Sequence, residues 1–175
     1  MKSLSPLFII LLIGISTISF AQVKFEAQLG GSNFLGLTLN TAYDIPLEKT
    51  GNHHLVPSLG VGILAPGWDV PTVIIHAGLN YKFKNWGIGG EVSGFTPNPF
   101  WGNTDSYDFV SMIVYPNINY TFNFKSGWYL ALSGGALIAF EKQPQYNDSR
   151  GNMIYAGDAI PGIGIIFGHS SNCKF

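Results

Sequence analysis

The chain has 175 residues and a formal charge of -1, with 46% hydrophobic but only 11% charged residues, against roughly 25% charged in an ordinary soluble domain. Low charge argues against disorder, balanced charge without a basic cluster argues against a nucleic-acid binder, and a single cysteine excludes a disulfide framework and a multi-thiolate metal site. Mean hydropathy is positive (+0.23), yet past the N-terminus no run of about 18 apolar residues exists to form a spanning helix.

Met1 and Lys2, the apolar stretch from Leu7 to Ile15 and the small-x-small triplet Ser19-Phe20-Ala21 predict a secretory signal peptide over residues 1–21, cleaved after Ala21. No cysteine stands near the cut, so a lipoprotein anchor is not expected.

From Val23 onward the pattern is alternation, in eight runs. Val23, Phe25, Ala27 and Leu29 alternate with Lys24, Glu26 and Gln28; Leu35 to Tyr43 alternate with Gly36 to Asp44; Leu55, Leu59, Val61 and Ile63 with Ser58, Gly60 and Gly62. Val73 to Phe83 oppose Thr72, His76, Gly78, Asn80 and Lys82, and Trp86, Ile88 and Val92 oppose Gly87, Gly89, Glu91 and Ser93. Val110 to Phe122 oppose Ser111, Asn117, Asn119 and Thr121; Trp128 to Phe140 oppose Ala131, Ser133, Gly135 and Ala139; Tyr155 to Phe167 oppose Asp158, Gly162 and Gly164.

The polar parity is made of Gly, Ser, Ala, Asn and Thr with a few charges, which suits the cramped interior of a small closed barrel. The large apolar parity carries no Lys, Arg, Asp or Glu within the strand cores, as a lipid-facing surface requires. The predicted fold is all-β, an eight-stranded antiparallel up-and-down transmembrane β-barrel over residues 22–168, followed by a tail at 169–175.

Connections alternate in length accordingly. Lys84-Asn85 and Phe124 to Gly127 are short, while Thr96 to Ser106 and Glu141 to Asn152 are long and polar. Two connections fit less well: Ile45 to Asn52 is long for an inner turn, and Gly30-Gly31-Ser32 is short for an outer loop. Tyr43, Phe83, Trp86, Phe122, Trp128 and Phe167 lie on the apolar parity at the short-turn end and predict an interfacial girdle, with Tyr81 and Tyr120 one step inward. Pro57, Pro71, Pro116 and Pro161 lead similar short phrases and are expected at bulges or strand beginnings.

The signal peptide, the eight runs, the aromatic strand ends and the terminal Phe175 resemble the small outer-membrane β-barrel proteins of Gram-negative bacteria. Gly78-Leu79-Asn80-Tyr81-Lys82-Phe83 is similar in style to barrels of the Bacteroidetes group. The resemblance implies a place in the cell outer membrane among its lipids, and insertion by the barrel-assembly machinery guided by a terminal aromatic.

Two constellations could carry chemistry. His169-Ser170-Ser171-Asn172 resembles a stretch of outer-membrane lipid A deacylases, which implies His169 as base and Ser171 as nucleophile; the residues after it, Asn172 to Phe175, include no acid. If Lys84-Asn85 closes a two-residue hairpin, His76 stands opposite Ser93 and Gly78 opposite Glu91, so that His76, Glu91 and Ser93 share the lumen. Lys24, Glu26, His76, Lys82, Glu91 and Asp158 are expected to form a paired lumenal network that satisfies buried charge. Phe100, Trp101 and Tyr146 on the long loops are candidate contacts for surface glycan or protein. No cofactor or metal site is expected, His53-His54 being adjacent with no third ligand near. The preferred reading is a non-enzymatic envelope barrel; a lipid A hydrolase and a narrow solute channel are the alternatives.

Overall fold

The computed structural model describes residues 22–64, 72–97, 112–140 and 159–171. The signal peptide, Asp158, Phe100, Trp101 and Tyr146 lie outside the described residues. The alternating runs form eight strands: β1 (Gln22–Gly30), β2 (Leu37–Pro46), β3 (His53–Ile63), β4 (Thr72–Phe83), β5 (Trp86–Pro97), β6 (Met112–Asn123), β7 (Trp128–Phe140) and β8 (Ala159–Ser170). Each pairs antiparallel with the next, and β8 pairs with β1, so the sheet closes and leaves no edge. Among the described residues no helix is long and apolar enough to cross a membrane.

Carried round all eight pairings, the register advances by roughly ten residues, which tilts the strands and leaves an interior just wide enough for side chains. Period two then decides what faces where. Leu39, Leu59 and Ile163 on the outward parity are 67, 68 and 74% exposed, whereas Lys24, Glu26, Gln28, Thr38 and Asn40 are buried. In so narrow a lumen an inward glycine makes room for its neighbour: the Asn40 amide oxygen lies over Gly60, Asn80 over Gly89 and Tyr129 over Gly168.

The β4–β5 hairpin turns on Lys84-Asn85, with Phe83 opposite Trp86 and Lys84 at φ 54°. That left-handed residue matches the twist of a two-residue hairpin, and the resulting register sets His76 opposite Ser93 and Gly78 opposite Glu91 as expected.

The two ill-fitting connections resolve differently. β2 continues to Pro46, opposite His54, so the connection shrinks to Leu47–Asn52, closed by the Leu47 N–H on the His53 carbonyl at 2.8 Å. Leu35 and Gly36, expected in the second strand, instead end an inward-folded turn. Gly30 and Gly31 take φ 75° and 61°, which only glycine adopts without strain. They drop a 3-10 turn, Gly31–Asn33, into the barrel, where Ser32 and Asn33 are fully buried.

Of the four prolines, Pro71 lies outside the described residues, Pro57 and Pro116 stand inside strands opposite Leu79 and Gly90, and Pro161 is the third residue of β8, opposite Ala136. Pairing lapses beside Pro57 between β2 and β3 and beside Pro116 between β6 and β7, where the missing N–H removes a ladder bond. β8 runs on to Ser170, because β1 begins early enough to offer Phe25 and Lys24 as partners for His169 and Ser170.

Tyr43, Phe83, Trp86, Phe122, Trp128 and Phe167 are all exposed on the outward face at the end of the barrel that carries the short turns. Their rings touch across strands: Trp86 meets Tyr120 edge-on at 4.9 Å, and Trp128 stacks on Phe167 at 4.9 Å.

Candidate functional site

The lumen holds the chemistry, and it is layered. Nearest the short turns, Lys24 pairs with Asp44, which also binds the Nδ1 of His54. The Tyr129 hydroxyl donates to Glu26 at 2.5 Å, and Lys82 donates to Thr121 at 3.2 Å. Lys24 and Lys82 lie 5.2 and 5.8 Å from the centre of the Tyr129 ring, a distance at which ring and ammonium attract. Carboxylates and ammonium groups sunk in a barrel wall must be paired or hydrogen-bonded, and these are.

One layer further in, Glu91 is held by amides. Gln28 donates to it at 2.6 Å and Asn117 at 3.2 Å, while Asn40 donates to the Gln28 oxygen at 2.9 Å. A cavity of about 20 Å³ lies among Glu26, Asn80, Lys82, Glu91, Asn119 and Tyr129, room for about one water.

The third layer is built by the inward turn. Ser32 Oγ lies 3.1 Å from His76 Nδ1 and 2.8 Å from Ser93 Oγ; His76 Nδ1 lies 3.2 Å from Ser93 Oγ, and the Ser93 hydroxyl donates to Asn33 Oδ1 at 2.7 Å. With His76 protonated on Nδ1, a tautomer inferred from the network, its one N–H is shared between the Ser32 and Ser93 oxygens, the Ser93 hydroxyl donates to Asn33, and the single Ser32 proton is divided between Ser93 and Glu91. His76 Nε2 is then a bare acceptor, buried and without a hydrogen-bond partner among the described residues. A nucleophilic triad would need a hydroxyl on one ring nitrogen and a carboxylate on the other. Here both hydroxyls share one nitrogen, and Glu91 bonds to Ser32 at 3.5 Å rather than to the imidazole.

Above this, the lumen turns apolar. Ile113, Tyr115, Leu137 and Ala139 form a buried cluster with Phe34, Phe95 and Ile160 against it. The Tyr115 hydroxyl reaches back to the Gly162 carbonyl at 3.1 Å and to Ser133 at 3.3 Å.

Lys24, Glu26, His76, Lys82, Glu91 and Ser93 are thus brought into one lumen. Parity along the strands does not give Gln28, Ser32, Asn33, Asp44, Tyr115 or Tyr129 as their partners. Tyr115 and Tyr129 carried a signal of their own, as large aromatics on the parity otherwise occupied by Asn117 and Asn119 and by Ala131 and Ser133.

His169 and Ser171 are placed elsewhere. His169 follows the outward parity of Phe167, and its ring meets Trp128 edge-on at 4.9 Å. The Ser171 hydroxyl donates to the Val23 carbonyl at 3.1 Å. No hydrogen bond joins the two among the described residues.

Replacing Ser32 by Ala removes a buried hydroxyl that bonds to both His76 and Ser93, without emptying much volume. The expected loss is about 1–2 kcal/mol of folding stability, measurable by denaturant titration of the refolded barrel, with Asn85→Ala on the exposed turn as a control expected to change little.

No protein-family model, curated protein or solved structure matches this chain, so its assignment rests on architecture: a closed, eight-stranded, antiparallel β-barrel, apolar outside and filled inside.

Proposed function

We propose that this chain is a non-enzymatic integral β-barrel protein of the cell outer membrane, with an envelope-structural role or a binding role at its outer loops. The observation that carries the reading is the inversion of faces. A water-soluble barrel keeps its apolar parity inside and shows polar groups to water. This one exposes Phe25, Leu39, Leu59, Ile75, Ile118 and Ile163 and buries Lys24, Glu26 and Glu91. In water such a surface would be a large aggregation-prone patch; in a bilayer it is the expected lipid contact.

The layered side chains, with a cavity of about 20 Å³ among the described residues, support a scaffold rather than a conduit. Its partners would be outer-membrane lipid, the barrel-assembly machinery during insertion, and glycan or protein at Phe100, Trp101 and Tyr146. The test is heat-modifiable gel migration together with protease protection in lipid vesicles. A protein that stays folded and monomeric in buffer without detergent overturns the reading. A lipid A hydrolase predicts altered acylation by mass spectrometry of cells with and without the protein, and a channel predicts conductance steps in planar bilayers; neither is expected.

A further inference from the structure

In sequence, the segments between β3 and β4, β5 and β6, and β7 and β8 carry Asp69, Asp105, Asp108, Glu141 and Asp148 against Lys142 and Arg150. The short turns hold Lys49, Lys84 and Lys125, one in each, all exposed. None of the three forms an ion pair among the described residues. Glu48 is the exposed carboxylate described at that end, and it is engaged locally. It accepts the Thr50 hydroxyl, which holds its carboxyl below the usual range, and lies 3.9 Å from His53.

The aromatic girdle fixes where these lysines sit. Rings of this kind settle at headgroup depth, and the turns project just beyond them. Lys84 follows Phe83 and holds its ammonium 5.3 Å from the centre of that ring. Lys125 lies between Phe122 and Trp128, and Lys49 stands in the turn beyond Tyr43. Three exposed ammonium groups, none in an ion pair among the described residues, are therefore spaced around the rim just beyond the girdle.

We propose that this rim binds anionic phospholipid headgroups through Lys49, Lys84 and Lys125, gathering acidic lipid in the leaflet that the short turns face. The proposal rests on the membrane reading above. A zwitterionic headgroup offsets its phosphate with its own ammonium, whereas phosphatidylglycerol leaves a net charge for the lysines to neutralise. The attraction falls with ionic strength, as for basic residues at any anionic membrane surface.

The test uses the full chain with Trp68→Phe and Trp101→Phe, so that Trp86 and Trp128 of the four tryptophans remain, both in the girdle. It is refolded into phosphatidylcholine vesicles containing about a third phosphatidylglycerol, with one lipid brominated at a time. Brominated phosphatidylglycerol is expected to quench about threefold more per mole than brominated phosphatidylcholine. The ratio should fall towards unity in K49Q/K84Q/K125Q and in high salt, and persist in K49R/K84R/K125R. A ratio near unity with the native lysines, or one unchanged in the glutamine variant, overturns the headgroup site while leaving the barrel in the bilayer. Absence of quenching by either lipid overturns the membrane reading, and this site with it.

Discussion

Leu59→Arg is expected to destabilise the barrel by about 2–4 kcal/mol when folding is measured in lipid vesicles. Leu59 stands near the middle of β3, between Thr41 and Ala77, and is 68% exposed on the outward face. If that face meets hydrocarbon, an arginine there must either lose its hydration or bend away to drag water inward, and both cost free energy. The same change at Phe83, in the girdle, should cost about 0–1 kcal/mol, because the headgroup region solvates the guanidinium. A urea titration of both variants in vesicles measures the difference. If both changes fall within about 0.5 kcal/mol of the parent, the exterior is behaving as ordinary water-exposed surface and the lipid-facing reading fails.

The second large effect lies inside. Gly31→Ala is expected to cost about 2–4 kcal/mol, combining a left-handed backbone with overpacking. The added methyl would lie 2.9 Å from Gln28 Nε2, 2.9 Å from Glu91 Oε2 and 3.3 Å from the Tyr115 ring, at φ 61°. Relief would have to come from the amide cradle around Glu91 or from the turn withdrawing from the lumen. Gly51→Ala separates the two contributions. Its φ is 66° and nothing lies within 4 Å of the new methyl, so only the backbone cost of about 1–2 kcal/mol should remain. Equal losses at the two sites in denaturant titrations would mean that the turn does not pack into the lumen as described.

Much of the architecture was legible because alternation is a local property. A side chain's face depends only on its parity along the strand, so Lys24, Glu26, His76, Lys82 and Glu91 could be assigned to the lumen from Val23-Lys24-Phe25-Glu26 and similar phrases. Short turns were equally informative: two residues at Lys84-Asn85 determine a register, and with it the facing of His76 and Ser93.

The identity of the lumenal partners was not legible, for a physical reason. Glu91 meets Gln28 from β1, and Tyr129 on β7 meets Glu26, also on β1. Contacts across a lumen depend on closure and on the climb of the register around all eight strands, which no single run encodes. The Gly30-Gly31-Ser32 segment had the length of a tight outer loop. Only the filled tertiary structure shows it folding inward, where Ser32 and Asn33 find partners that the surface would not offer.

The sequence by itself determined an eight-stranded barrel with an apolar exterior and an aromatic ring at one end, because period-two patterning and turn length act locally. Tertiary structure decided that the lumen is closed by layered hydrogen bonds and an inward turn, because those contacts join strands far apart in the chain around a shared interior.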